Sequence, residues 1–351
     1  MKKSKNMYEL INNMEFNLEG YEIQELSDIE KQNLKNNFKK KKLNFKKIVT
    51  VAAALVLTVG IFSQTETGKY VYAAFESKVS KISYSIGKSL GIERNIEPYS
   101  NVVGQVREDN GVEVKLGEVI IDKDELIFST IVNANKPVEF ARFDTEIFIN
   151  GEKLTNYSMS GTGGAIDDSQ ETIFMVDSVD VKGIELNKDV DINIILRNMN
   201  YFDGKDEKKI SGKWEFEFTA NGDELAADTY TLPMNYSFNI DNLNYNLEEF
   251  RYNPVNQKII GKIRGESDKD YELDLRGQDN LGNKVVFSLR RMSDKNFILA
   301  YENIYGDLSD KAASVTLTPY AREFPKKSGK VSGEFKKVGE SFTINLKSKT
   351  K

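Results

Sequence analysis

Residues 48–62 read Ile48-Val-Thr-Val-Ala-Ala-Ala-Leu-Val-Leu-Thr-Val-Gly-Ile-Phe62, fifteen positions without a charge in a chain that is otherwise polar. The reading of this run decides the layout of everything around it. A membrane-crossing helix needs about 20 apolar residues, so length alone leaves the run between a span and the core of a signal peptide. The flanks favour a span. Lys39, Lys40, Lys41, Lys42, Lys46 and Lys47 precede the run and can snorkel, while Phe45 adds apolar length and Tyr70 and Tyr72 follow at the other interface. The predicted span covers 48–64, with little tilt or with local bilayer thinning. A buried core helix rarely stands beside so many lysines. A cleavable signal would need 47 residues ahead of its core, against about 15 to 30 for a whole signal peptide. The lysine excess before the run places the N-terminus inside and the C-terminal portion outside.

The chain has 351 residues, 39% hydrophobic and 29% charged, with a formal net charge of -5. That charge speaks against nucleic acid as a direct partner. Cys and His are both absent, which removes disulfides, thiolate metal sites, the Ser-His-Asp triad and the commonest general base. No nucleophile elbow, phosphate loop, EF-hand loop or zincin motif is found. An enzyme, a metal site and a cofactor are therefore not expected.

Residues 1–47 have too few apolar groups to bury a core of their own. Met7, Leu10, Ile11 and Met14 share one helical face. Ser27-Asp28-Ile29-Glu30 reads as a capping box opening a second helix through Leu34 and Phe38. The expectation is an arm that folds on a partner and offers it Leu10, Ile11, Met14, Phe16, Leu18, Leu26, Ile29, Leu34 and Phe38. The alternative is an arm lying on anionic membrane lipid. The seven carboxylates between Glu9 and Glu30 oppose that.

Beyond the span, residues 65–96 are expected to form a stalk helix. Val71, Phe75, Val79, Ile82, Ile86 and Leu90 make an apolar stripe, and Gly91 is placed to end it. The stripe would pack on the same chain, on the membrane interface or on a second copy. Val71-Tyr72-Ala73 followed by Ala74 has the small-residue look of a signal-peptidase site, so cleavage between Ala73 and Ala74 is a further expectation.

From residue 97 the period changes from 3.6 to 2. Asn110-Gly111 and Asn150-Gly151 are strong hairpin signals. Strands are predicted over 101–107, 112–119, 126–132, 146–149, 173–176, 190–196 and 214–218, with 158–169 as a loop and Trp214 in the core. A second set of strands follows a break at 221–223. The expected fold is mainly β: a short helical cytoplasmic arm, one transmembrane helix, a stalk helix, then two extracellular immunoglobulin-like antiparallel β-sandwiches over 97–222 and 223–351.

Several stretches together carry a family resemblance: Leu26-Ser-Asp-Ile-Glu-Lys31, the lysine run, the single span, Val71-Tyr-Ala-Ala-Phe75, Asn110-Gly-Val-Glu-Val114 with 122–128, and Arg251-Tyr-Asn-Pro254. In that order they make the chain resemble the membrane-bound anti-sigma factors of Firmicutes whose exterior domain is DUF4179, often followed by DUF5643. The resemblance implies an arm that holds an extracytoplasmic-function sigma factor at the membrane, and exterior domains that meet an unknown ligand or protease. It implies release by stepwise proteolysis, as in related systems. The Cys-His zinc motif of many anti-sigma domains is absent, so the arm would act as bare helices. The competing reading is a membrane-anchored surface protein whose sandwiches bind cell-wall polymer or another protein. An envelope-assembly accessory is a third.

Overall fold

A computed structural model describes residues 85–166, 168–181, 184, 188–203, 206–293, 295–325 and 333–346 of the chain. All of them belong to one compact unit. The arm, the apolar run and the stalk stripe before Ile86 lie outside the described residues. Among the described residues no helix is long and apolar enough to cross a membrane.

The chain enters through a short helix α1 (Ile86–Ser89) and a 3-10 turn (Glu97–Tyr99). Nine strands follow: β1 (Asn101–Asp109), β2 (Val112–Asp122), β3 (Glu125–Asn133), β4 (Ala141–Ile149), β5 (Glu152–Lys153), β6 (Met159–Ala165), β7 (Thr172–Asp180), β8 (Val190–Asp203) and β9 (Asp206–Ala220). A helix α2 (Asp223–Ala227) leads to β10 (Tyr230–Ile240), β11 (Leu243–Tyr252), β12 (Gln257–Arg264), β13 (Tyr271–Asp279), β14 (Lys284–Ser293), β15 (Asn296–Tyr301), β16 (Ser314–Glu323), β17 (Lys336–Lys337) and β18 (Phe342–Asn345). The protein is mainly β and its sheets are antiparallel, as the alternating pattern predicts.

Both Asn-Gly pairs turn hairpins. Asn110 and Gly111 sit at φ +50° and +76°, and Asn150 and Gly151 at +51° and +83°, the left-handed pairs a two-residue turn requires. The first sheet runs β1-β2-β3-β7-β6 and the second β5-β4-β8-β9. One face of each meets in a common core that includes Leu116, Phe128, Ile147, Ile194, Trp214 and Phe216. Trp214 is fully buried there, as expected. Its indole Nε1–H donates to the Val112 carbonyl at 2.9 Å, and Phe143 packs edge-on at 5.4 Å.

The other face of the first sheet is also covered. Ile120, Ile127, Ile131, Phe174 and Val176 pack with Ile86, Ile92 and Ile96 from the lead-in segment, Leu225 from α2 and Val255 from the loop after β11. Burial on both faces explains why β3 reads as an almost continuous apolar run instead of alternating.

Four expectations are corrected. The 158–169 loop contains strand β6, because Gly161 and Gly163 let the backbone lie close along β7: a Cβ on Gly163 would fall 2.7 Å from the Phe174 carbonyl oxygen. The immunoglobulin-like strand order does not hold. An immunoglobulin sandwich sends its third strand to the opposite sheet, whereas here β1, β2 and β3 are consecutive neighbours in one sheet, joined by tight turns. The C-terminal strands form one continuous sheet, β10-β11-β12-β15-β14-β13-β16-β17 with β18 also on β16, rather than two facing sheets. It rolls around a core containing Tyr245, Phe250, Phe287 and Phe297, and its ends meet through side chains, Tyr236 stacking on Phe342 at 4.1 Å. Finally, the helix ending at Gly91 does not run on from residues before 85. Ser85 is extended (φ -112°, ψ 157°) and caps α1 by accepting from the Lys88 amide at 3.2 Å. Gly91 does end it, at φ +68°.

Trp214→Ala is expected to cost about 3–5 kcal/mol, a large-to-small change at a fully enclosed site, measured as a shift of the denaturant midpoint by circular dichroism. A loss below about 1 kcal/mol would mean that the two sheets do not share this core.

Candidate functional site

The residues that converge most tightly do so where the lead-in segment, the first sheet and the rolled C-terminal sheet meet. The turn between β2 and β3 is Asp122-Lys123-Asp124-Glu125, four consecutive charges between two apolar strands. Opposite it stands Lys258 on β12, whose side chain is 7% exposed. Its Nζ lies 3.2 Å from Asp122 Oδ2 and 3.6 Å from Asp124 Oδ1, and it donates to Glu125 Oε2. Arg251 on β11 extends the cluster, with Nη1 2.8 Å from Asp124 Oδ2 and Nη2 2.8 Å from Glu249 Oε1. Arg291 on β14 pairs with Asp180 at the end of β7.

Burial works against the charge of Lys258, but Glu125, Asp122 and Asp124 outweigh it and hold the ammonium protonated above its usual range. Asp124 is governed the same way. Burial would raise its pKa, yet Lys258 and Arg251 win and hold the carboxyl below the ordinary aspartate value. Its folded-state pKa is thus depressed, so its contribution to stability is present above pH about 4 and is lost as pH falls through the folded value.

The lead-in segment is held from both sides. The Ile86 amide donates to Glu118 Oε2 at 2.9 Å, tying the start of α1 to β2. Arg94 reaches the other way. Its amide and Nε both donate to Asp307 Oδ2, at 2.9 and 3.0 Å, Nη1 donates to the Tyr252 hydroxyl at 2.5 Å, and Nη2 to the Leu308 carbonyl at 2.8 Å. Burial opposes the guanidinium charge, but Tyr252 and Asp307 outweigh it and raise its pKa. Burial, with the Asp310 carboxylate nearby, pushes the Tyr252 phenol up to about 12, so it stays neutral and donates a hydrogen bond to Asp310 Oδ1 at 2.7 Å. Asn303 Nδ2 completes the hold by donating to the Leu90 carbonyl at 3.2 Å.

A cleft of about 380 Å³ opens at this junction. Leu90, Ser178, Asp180, Lys258, Arg291 and Asn303 are among its lining residues, so it touches all three parts at once. Asn256 also lines it, donating to Glu125 Oε2 at 3.1 Å while its own amide oxygen is buried without a partner. The chemistry is that of a polar binding cleft. Among the described residues no cluster of carboxylates is arranged to hold a metal ion.

The partner-facing residues expected from the sequence, Leu10, Ile11, Met14, Phe16, Leu18, Leu26, Ile29, Leu34 and Phe38, lie outside the described residues, as do Ala73 and Ala74. Two of the stretches that carry the resemblance are brought together: 122–128 supplies the carboxylates, and Arg251-Tyr252-Asn253-Pro254 supplies their guanidinium and the phenol that meets Arg94. Sequence reasoning missed Lys258 and Arg94 as sites. The legible signal was a lysine directly ahead of Ile259 and Ile260, in the half of the strand that is mostly buried.

Residues 40–134 match the model of DUF4179, a domain of unknown function, and residues 229–346 match that of DUF5643, a family of unknown function. The chain therefore carries both regions. The first match takes in the apolar run, the lead-in segment and β1 to β3; the second takes in β10 to β18. In fold the chain is similar to a solved structure described as the conserved domain protein from Bacillus anthracis, with 18% identity over 73% of this chain and 94% of that one and a TM-score of 0.56. No curated protein matches the chain.

Lys258→Ala leaves three carboxylates facing one another at a buried contact, and a loss of about 3–5 kcal/mol is expected at pH 7. The gap from wild type should narrow as pH falls below about 4, because the wild-type chain then loses the stability that Lys258 confers by holding down Asp124; an equal gap at pH 3 and pH 7 would show that packing, not charge, is what was lost. Arg94→Ala removes a set of charge-assisted bonds each worth about 1.5–3 kcal/mol. Amide hydrogen exchange over residues 86–99 should quicken roughly tenfold or more, and unchanged exchange would refute the hold described above.

Proposed function

We propose that the chain is a single-pass membrane anti-sigma factor. Its 1–47 arm binds an extracytoplasmic-function sigma factor inside, residues 48–64 cross the membrane, and the β portion outside answers an envelope signal. The observation that carries this reading is the arm: a series of apolar residues on helical spacing, interspersed with carboxylates, ahead of a lysine-flanked apolar run. An anchor alone needs no such pattern. The joint presence of DUF4179 and DUF5643 regions supports it, since that is the combination the resemblance rests on.

The described contacts add a physical route. A ligand outside can bias the inside only by preferring one of two states of the chain. The lead-in segment is fastened at Ile86 and Arg94 to both β parts, and the 380 Å³ cleft lies against that fastening. Occupying the cleft would change how the segment is held, and with it the access of a protease to the Ala73–Ala74 bond, twelve residues before Ile86. Cutting there would begin release of the sigma factor.

The test is retention of a sigma factor by the full-length chain extracted from membranes, compared with Leu10→Asp/Leu34→Asp. A sigma factor held by the native chain and lost from the double variant, with its target transcripts rising several-fold, is the expected result. Unchanged transcripts on deleting residues 1–38, with the protein intact in the membrane, would sink the proposal in favour of an anchored binding protein.

A further inference from the structure

A second feature lies across β6 from the junction cleft, with which it shares Met159 and Thr162, at the open side of the two-sheet part. Strand β7 turns Ile173, Met175 and Val179 into the core shared with the second sheet, and Asp177 stands in the same inward series. It is 6% exposed. Among the described residues no hydrogen bond or ion pair holds its carboxyl, and burial pushes it up to about 7. A carboxyl placed so costs stability, because nothing replaces the water it has lost.

The strand beside it keeps the space open. β6 pairs Gly161 with Asp177 and Gly163 with Met175. A Cβ on Gly161 would lie 2.3 Å from Asp177 Oδ1. The inward positions that would carry apolar side chains in an ordinary sandwich strand are thus empty, and a cavity of about 180 Å³ remains. Phe140, Phe143, Met159 and Met175 wall it, with Asp177 among them. Arg142 is at its rim but is engaged with Glu207 at 2.6 Å. The cavity lies between two edges. β6 is the last strand of its sheet, and all seven of its residues are exposed. β4 is covered by β5 only at Phe148 and Ile149.

We propose that this slot takes the lysine side chain of an extended peptide, which adds to the free edge of β6 and places its ammonium on the Asp177 carboxylate. The free backbone edge supplies strand pairing, and the slot supplies selectivity. An added strand would lie two strand spacings, about 10 Å, from β7. A four-carbon stem can cross that distance only over residues without side chains, and Gly161 and Gly163 are those residues. The walls match an aliphatic stem, and one carboxylate matches a compact ammonium better than the two-pronged guanidinium of arginine.

The experiment uses the full-length chain in detergent and the labelled peptide acetyl-Thr-Val-Lys-Val-Thr-amide, with its norleucine counterpart and n-butylammonium as controls, read by fluorescence anisotropy and competition. Saturable binding of the lysine peptide is expected at pH 7.5, at least tenfold weaker for norleucine and at least tenfold weaker with Asp177→Asn. Asp177→Asn should fold at least as stably as wild type. It should also abolish the fall in stability that an aspartate of raised pKa imposes as pH rises from about 4 to about 7. Lysine and norleucine peptides of equal affinity, undiminished binding by Asp177→Asn, or no saturation up to millimolar peptide would overturn the proposal. So would n-butylammonium competing as well as the peptide, since the strand pairing would then contribute nothing.

Discussion

An ammonium taken out of water inside a protein is tolerable only where anions meet it, and Lys258 is met by Asp122, Asp124 and Glu125. The arrangement of the two β parts rests on this contact. Their apolar cores are separate, one centred on Trp214 and Phe128 and the other on Phe287 and Tyr245. Hydrophobic burial makes surfaces meet but is indifferent to small slides between them. A buried charge is not. Moving β12 by one residue along the β2–β3 turn would take the Lys258 ammonium away from Asp122, Asp124 and Glu125 together, so electrostatics favours one register of the two parts.

The first sheet then becomes the common wall of the molecule. Its inner face belongs to the sandwich core. Its outer face is shared by the lead-in segment, α2 and Val255. That outer face is apolar, so the lead-in segment is structural covering as well as connection, and it is bonded to both β parts. The proposed signalling role draws on this double duty, because Ser89 and Leu90 of the segment also line the junction cleft.

How much of this was legible depended on whether the signal was local. The two Asn-Gly hairpins, the strands with alternating patterns and the buried Trp214 could be read directly, because turn chemistry and period-2 burial are properties of neighbouring residues. Strand β6 escaped because Met159-Ser-Gly-Thr-Gly-Gly-Ala165 has none of the side chains that mark a strand. Its pairing comes from close approach to β7, which only the neighbour reveals. The rolled C-terminal sheet was mistaken for two sheets because strand count and alternation do not say which edges join. The Lys258 cluster joins positions more than 130 apart in the chain, and no single-sequence pattern announces such a meeting. Glu118 likewise shows no sign in the sequence that its carboxylate will hold the Ile86 amide.

The extended backbone at Ser85 has a mechanical meaning. A continuous helix would pass rotation along its axis as a stiff rod does, whereas an extended residue has soft dihedrals on both sides and lets torque dissipate. Pull is still conveyed. Any load reaching Ser85 from the N-terminal side would meet the Ile86 amide and Glu118 first, then the buried Ile86 side chain, and only afterwards Arg94 with Asp307. These holds lie in series along the chain, not side by side, so they would give way one after another while the sheets keep their pairing. The lead-in segment would behave as a tether with graded release, sensitive to tension and insensitive to twist.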